Sequence, residues 1–461
     1  MKELIGTLME PKKGIPEERK MFSNMDLKNL IVPLFLEQLL AVLVGVADTF
    51  MVSYAGEAAV SGVSLVNMFN TVFIYLFSAL AAGGAIVVSQ YIGSRDQENG
   101  NLSSGQLMMV SAVFSIILMV FVLILNQQLL RLLFGEVDQD VMEACVTYLR
   151  ISAYSYPALA VYNAGAAMHR SMGKTKVTMY LSVASNGINV AGNAIGVFVL
   201  HAGVAGVAYP SLIARVFSAV VITRMCFDKN NLVWLERKKI FCRDGNMIRR
   251  ILGIAIPNGI ENGLFQLAKV ALSSITALFG TVQIAANGVA QSFWSVAALM
   301  GTAMGLAFVT VIGQCMGAND REAAEYYMRK LLRLTFVMSI LWNGLILVVS
   351  PLVLKGYALS AEAASLVVIL ILIHNVFNAV FYPLSGALSN GLRAAGDVKF
   401  TMYISLLSTV AGRVVCSVIL AVWMNMGVIG IALAMCLDWG IRALIFWVRF
   451  VRGRWKKFSV I

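Results

Sequence analysis

One pattern occurs twice in this chain, and any fold must build both copies from the same parts. Gln90, Gly93 and Asp96 form a Gln-x-x-Gly-x-x-Asp motif that returns as Gln314, Gly317 and Asp320, 224 residues later. Arg170, Gly173, Lys176, Thr178, Met179 and Tyr180 return as Arg393, Gly396, Lys399, Thr401, Met402 and Tyr403, 223 residues later. Pro33 and Glu37 return as Pro257 and Glu261, again at a spacing of 224. Ordered matches at one spacing indicate a tandem duplication. In membranes such duplications are typical of transporters that rock one half against the other.

Composition places both copies in a bilayer. Hydrophobic residues make up 59% of the chain and charged residues 13%, about half the charged share of a soluble domain. Apolar runs long enough to cross roughly 30 Å of hydrocarbon fall near 29–54, 60–91, 104–126, 145–167, 176–200, 204–227, 248–278, 283–315, 328–351, 362–390, 398–423 and 427–450. They are continuously apolar and not alternating, which excludes a barrel. The expected fold is an all-α integral membrane protein of about twelve transmembrane helices. An even number of spans per copy returns the chain to its starting side, so the two six-helix lobes should be related by a pseudo-two-fold along the membrane normal. The expected divisions are a tail at 1–28, an N-lobe at 29–227, a polar linker at 228–247, a C-lobe at 248–450 and a tail at 451–461.

Charge distribution sets the orientation. Lys2, Lys12, Lys13, Arg19, Lys20 and Lys28 precede the first span, Arg237, Lys238, Lys239, Arg243, Arg249 and Arg250 cluster at the linker, and Arg452, Arg454, Lys456 and Lys457 follow the last span. Arg95, Lys174, Arg321, Arg329, Lys330 and Arg393 fall on connections of the same side. The opposite connections hold Arg131, Arg150 and Lys355, with the acidic residues Glu136, Asp138, Asp140 and Glu143. The positive-inside rule then puts both termini and the linker in the cytoplasm of a multi-pass protein of the plasma (inner) membrane. The net charge of +12 follows from this bias. Its scatter among short loops argues against a nucleic-acid partner. The first 28 residues show no signal-peptide core. Six cysteines without Cys-x-x-Cys spacing give no disulfide framework or zinc site.

The loops are too short to fold an enzyme domain, and no Walker-type phosphate loop occurs. The chain is therefore read as a non-enzyme without a cofactor, energised by an ion gradient. Ionisable residues inside the spans carry the argument, because each is costly to insert. Glu37 and Asp48 lie eleven residues apart in span 1, on one face and roughly 16 Å apart along the axis. Asp48 reads as a cation-coupling carboxylate, or as one satisfied by hydroxyls near the interface. Glu37 reads as structural or gating, a role its repeat mate Glu261 would share. Asn186, Asn189 and Asn193 share one face of span 5. Such a stripe either glues helices together or offers oxygens to a hard cation such as Na⁺. Asn67 and Asn70 in span 2 are expected to line the same cavity.

The second copy differs in chemistry. Glu261 and Lys269 lie in span 7, Asn287 and Gln291 in span 8, His374, Asn375, Asn378 and Tyr382 in span 10, and Arg413 in span 11. Asp438 and Arg442 in span 12 stand at i,i+4 and should form an internal ion pair. Lys269 and Arg413 are expected to neutralise buried carboxylates. Leu272 occupies the repeat position of Asp48, so ion coupling should concentrate in the first copy.

The stretch PLFLEQLLAVLVGVADTFMVSYAGEAAVSGVSL at 33–65 resembles the opening helix pair of the MATE family, the multidrug and toxic compound extrusion transporters. The Arg-x-x-Gly-x-x-Lys repeats at 170–176 and 393–399 are similar to that family's loops after spans 4 and 10. The resemblance runs from about 28 to 450. It implies a V-shaped pair of lobes exporting organic, often cationic, compounds in exchange for Na⁺ or H⁺. Residue by residue, Asp48 matches the family's span-1 aspartate and Asn189 its cation-site asparagine, which makes the two candidate ligands for Na⁺, with H⁺ at Asp48 as the alternative coupling ion. Ser211 falls where the family often has a threonine. Asn193 stands where one branch has a second aspartate. Phe265 stands where another branch has a glutamate, with Glu261 one turn earlier. The chain thus follows neither coupling pattern fully.

The cation-coupling set expected from these readings is Asp48, Asn189, Asn193 and Ser211. Glu37, Asn67, Asn70, Glu261, Gln291 and Asn378 are the candidates for a substrate cavity and its gating. The 24 methionines and 10% aromatic residues suit an adaptable apolar lining, although ordinary membrane core has the same composition. The expected partners are small organic substrates and membrane lipids, and the expected state is a monomer. A flippase for a lipid-linked or polyisoprenoid substrate is the alternative, and would call for a more basic cavity. A membrane-embedded transferase would need clustered catalytic residues, which the sequence does not show.

Overall fold

The computed structural model describes residues 10–11, 14–135, 138–357 and 359–461. Lys2, Lys12, Lys13 and Glu136, used above for orientation, lie outside the described residues. Among the described residues the regular structure is helical throughout, with no strand. Nine helical stretches among the described residues are long and apolar enough to cross a membrane by length and composition. Three further stretches, more polar, fill the places of spans 4, 5 and 7.

The chain divides into two compact units. The N-unit is Val32–Gly259; the C-unit joins Ile260–Ile461 to the chain before Val32. In the N-unit lie α1 (Asn24–Ser53, from residue 32), α2 (Glu57–Gly93), α3 (Gln97–Phe134), α4 (Gln139–Tyr154), α5 (Tyr156–Ser171), α6 (Thr175–Ala194), α7 (Ala205–Cys226), α8 (Arg237–Phe241) and the first half of α9 (Gly245–Ala277). In the C-unit lie the rest of α9, then α10 (Thr281–Ala297), α11 (Leu299–Gly317), α12 (Arg321–Leu354), α13 (Ala361–Tyr382), α14 (Leu388–Ala394), α15 (Val398–Leu407) and α16 (Gly427–Val451). Short π-helical turns interrupt the regular pattern at Ile195–Val199, Pro383–Ala387, Ser408–Val415 and Val418–Trp423.

The repeated motifs fold into the same parts. After Gln90 and Gly93 the chain turns through Arg95 in the left-handed region, φ 59°, and Asp96 caps α3 by accepting from the Asn99 backbone N at 3.0 Å. After Gln314 and Gly317 it turns through Asn319, φ 55°, and Asp320 caps α12 by accepting from Ala323 N at 2.9 Å. A helix N-terminus leaves backbone N–H groups unpaired, and a carboxylate at this position satisfies one of them. Gly173 and Gly396, with φ of 76° and 99°, reverse the chain after the two arginine helices. A side chain would be strained there, which explains why both copies keep glycine.

Within the N-unit, α2 packs against both α4 and α5, and α6 lies along α7. Its apolar centre includes Val66, Phe77, Leu149, Tyr156 and Val207, all nearly inaccessible. Span 4 is broken at Ser155, where Pro157 opens α5 and the preceding backbone bends. Residues 228–247 also belong to this unit and dock on α3. Trp234 N donates to Asn101 Oδ1 at 2.9 Å, Asn101 Nδ2 to Glu236 at 2.7 Å, and Gln106 Nε2 to Lys239 O at 2.8 Å. Within the C-unit, α10 packs against α13 and α11 against α14, while α13 and α16 pack together. Before α1, Phe22 holds Tyr327 of α12 through both its backbone groups, at 2.9 and 2.8 Å.

Candidate functional site

In the N-unit, four of the residues singled out by sequence form one hydrogen-bonded chain. Asn193 Nδ2 donates to Asp48 Oδ1 at 2.7 Å and to Asn189 Oδ1 at 3.1 Å. Asn189 Nδ2 donates to Ser211 Oγ at 2.8 Å, and Ser211 donates to Val207 O at 3.2 Å. The four-residue step between Asn189 and Asn193 puts both amides on one face of α6, where α1 brings Asp48 and α7 brings Ser211. The close approach of the π-helical turn that continues α6 to the start of α7 depends on two glycines: a Cβ on Gly206 would lie 2.6 Å from the Gly196 carbonyl oxygen. Asn189 and Asn193 are buried, at 7% and 0% exposure. Asn193 Oδ1 has no hydrogen-bond partner among the described residues.

That partnerless oxygen decides what the chain can hold. A buried amide oxygen without a donor is unfavourable. Here it sits on the amide whose NH₂ lies between two further oxygens. A carboxylate, two amide oxygens and a hydroxyl make an all-oxygen set with one negative charge, which suits a hard monovalent cation. The same carboxylate could instead carry a proton. The third amide of the stripe, Asn186, stands apart from this set. It lines a separate cavity of about 150 Å³ with Arg215, Tyr162 and Ser218.

Arg215 is a residue the sequence reading missed. It sits one turn beyond Ser211 on α7 and donates to Ser155 Oγ at 2.6 Å, at the break in span 4. No salt bridge joins it to a carboxylate among the described residues. The signal was present in the sequence: an arginine inside an apolar span is expensive.

The candidates for gating are held in place. Glu37 is paired with Arg170 and accepts from Thr178 Oγ1 at 2.8 Å. Glu261 is paired with Arg393, and both of its oxygens accept from the same nitrogen at 2.7 Å. Asn67 accepts from Tyr148 at 3.2 Å and Asn70 from Tyr156 at 2.6 Å. These two asparagines tie α2 to the broken span 4 and are not bonded to the Asp48 chain. Asn378 is buried at 2% exposure and its Nδ2 has no partner. Gln291 lines a C-unit cavity of about 240 Å³, with Lys269, His374 and Arg413.

Arg413 neutralises a buried carboxylate as its sequence position suggested: its Nε donates to Asp438 Oδ2 at 2.9 Å. Asp438 and Arg442 form the expected i,i+4 pair at 2.7 Å. Lys269 does not follow expectation. No carboxylate of the described residues reaches it; its ammonium lies 5.1 Å from the Phe265 ring centre and 5.6 Å from that of Trp294. Asp438 is already occupied by two arginines, and Glu261, two turns away on the same helix, is held by Arg393.

Comparison with known proteins agrees with this architecture. Residues 33–195 and 257–419 each match the family model MatE. The uncharacterized transporter YisQ of Bacillus subtilis is 26% identical over 94% of this chain and 95% of its own. The probable multidrug resistance protein NorM of Thermotoga maritima is 22% identical, covering 98% and 96%. Among solved structures, one described as MATE in the bent conformation superposes with a TM-score of 0.85 at 19% identity, covering 94% of this chain and 96% of that one.

Proposed function

Because the chain belongs to the MatE family, a family of multi-pass membrane transporters, we propose that it exports small organic molecules by ion-coupled antiport, with alternating access of the binding site to the two sides. It acts as a transporter and not as an enzyme, without a bound cofactor. Both termini and the 228–247 segment face the cytoplasm, on the strength of their lysines and arginines. The protein works as a monomer among membrane lipids.

The chain Asp48–Asn193–Asn189–Ser211 carries this reading. It brings together a carboxylate that no salt bridge pairs among the described residues and an amide oxygen without a partner among them, and the C-unit has Leu272 where Asp48 would recur. A single carboxylate with neutral oxygens balances one Na⁺ ion, which is tolerable where the dielectric constant is low. Na⁺ is therefore preferred to H⁺ as the coupling ion. Binding the ion and binding the organic molecule then compete for opposite conformations, which is all that antiport requires.

The test is export by purified protein in vesicles with an imposed Na⁺ or pH gradient. Asp48→Asn should abolish gradient-driven export while leaving folding and insertion intact. Export at the wild-type rate by this variant would remove Asp48 from the mechanism. Export driven by a pH gradient in the absence of Na⁺ would replace Na⁺ by H⁺.

A further inference from the structure

The C-unit cavity, about 240 Å³ in volume, has the opposite electrostatic character to the Asp48 chain. Leu272, at the repeat position of Asp48, lines it in place of a carboxylate. Asp438, with no exposed surface, already accepts from Arg413, Arg442 and Ser408, at 2.9, 2.7 and 2.5 Å. Two guanidinium groups thus share one carboxylate, and Lys269 adds a third positive charge without a partner. Buried cations in such surplus are costly unless something neutralises them.

The unused hydrogen-bonding groups point the same way. The Lys269 ammonium forms no hydrogen bond or salt bridge to the described residues and lies near the ring faces of Phe265 and Trp294. Trp294 Nε1, which can only donate, is buried without a partner. His374, 1% exposed, has both ring nitrogens unpartnered. Ammonium, indole and imidazole together make a donor-rich wall beside surplus positive charge. An acceptor-rich anion can take a hydrogen bond from each of the three, whereas a cation would find only the acceptor nitrogen of the imidazole and would be repelled by the ammonium. The remaining walls are apolar and uncharged: Leu272, Ile431, Ala432 and Met435, with Asn287 and Gln291, while behind them Trp294 stacks on Trp439 at 6.0 Å and 19°.

We propose that this cavity binds the anionic end of the exported molecule, a carboxylate or phosphate carried on an aromatic body. Lys269 is the recognising charge, Trp294 and His374 supply hydrogen bonds, and the aromatic part lies against the Trp294 ring and the apolar side chains of Leu272, Ile431 and Met435. The proposal rests on the export reading and gives its substrate a sign of charge. An anionic lipid headgroup shares this chemistry, and the experiment separates the two sources.

Full-length protein in detergent is titrated calorimetrically with 2-naphthoate and with the matched cation 2-naphthylmethylammonium. The naphthoate should bind more tightly. Lys269→Gln should weaken naphthoate binding roughly tenfold or more, the scale of losing one charge-assisted contact, and Lys269→Arg should retain most of it. Equal naphthoate affinity in wild type and in a Lys269→Gln protein with an unchanged melting temperature would overturn the proposal. Tighter binding of the cation would overturn it too. Displacement of naphthoate by phosphatidylglycerol would make the cavity a lipid site and overturn the substrate assignment. Asp48→Asn keeps the two proposals apart: export by that variant judges the coupling site, whereas naphthoate titration of the wild type judges this cavity.

Discussion

Arg393 reaches both carboxylate oxygens of Glu261 through a single nitrogen, 2.7 Å from each. The same pairing, Arg170 with Glu37, recurs in the N-unit. Each pair joins the helix that opens its repeat to the end of the fourth span, close to a glycine turn. Removing one partner leaves the other charge buried. Arg393→Met should therefore cost about 3 kcal/mol and lower the melting temperature in detergent. The double variant Arg393→Met with Glu261→Gln should recover part of the loss, because no orphaned charge remains. A double variant as unstable as the sum of its singles would mean that the two side chains act independently.

Asp438 should be less tolerant still. It is fully buried and counterbalances both Arg413 and Arg442. Asp438→Asn keeps the shape and removes the charge, which strands two guanidinium groups. The expected cost is about 3–5 kcal/mol, read as a collapse of the monodisperse peak in size-exclusion chromatography. Recovery of well-folded Asp438→Asn protein in normal yield would mean that the arginines find other partners.

Gly206→Ala tests the contact between α6 and α7. The added methyl would press on the Gly196 backbone at 2.6 Å, and neither backbone can yield without separating the helices. Overpacking of this kind costs about 1–3 kcal/mol. It should also lengthen the Asn189–Ser211 hydrogen bond, since that bond bridges the same pair of helices. Gradient-driven export should fall more than the melting temperature suggests. Export unchanged in a destabilised protein would uncouple this contact from the ion chain.

The twin helix caps give a pH dependence with a definite sign. Hydrogen bonds from the Asn99 side chain and backbone hold the Asp96 carboxyl below its ordinary range. Burial pushes Asp320 upward, but Arg19 and the capped N–H outweigh it, so this carboxyl is also lowered. A carboxylate lowered in the folded state stabilises above its unfolded pKa and loses that contribution as pH falls through the folded value. Asp96→Ala should thus cost about 1 kcal/mol at neutral pH. The difference from wild type should shrink in acid, as followed by thermal melts across pH. A constant difference at all pH values would assign the effect to something other than the charged cap.

Much of this was legible in the sequence because duplication is a covalent fact. The Gln-x-x-Gly-x-x-Asp motif gave the turn twice, and the structure builds it twice, with a left-handed residue at the same position, Arg95 in one copy and Asn319 in the other, followed by a capping aspartate. The amide stripe was legible in part. A spacing of three or four residues places Asn186, Asn189 and Asn193 on a face. Whether a neighbouring helix comes close enough to share them depends on Gly196 and Gly206, which carry no chemical signal of their own. Lys269 was misread for a related reason. Sequence can count charges, but it cannot show that Asp438 is already filled by two arginines from different helices. Arg215 went unnoticed because Ser155, to which it donates a hydrogen bond, becomes available where the fourth span breaks, and that break is a matter of tertiary packing.

The docking of residues 228–247 on α3 has a practical bearing on protein engineering. A polar stretch between two repeats invites use as a spacer, for a fluorescent reporter, a protease site or a split-protein junction. Here the stretch is bolted down through Trp234, Glu236 and Lys239 to Asn101 and Gln106. A cargo inserted at 234–239 would prise away part of the wall of α3, and a cut there would leave both ends held.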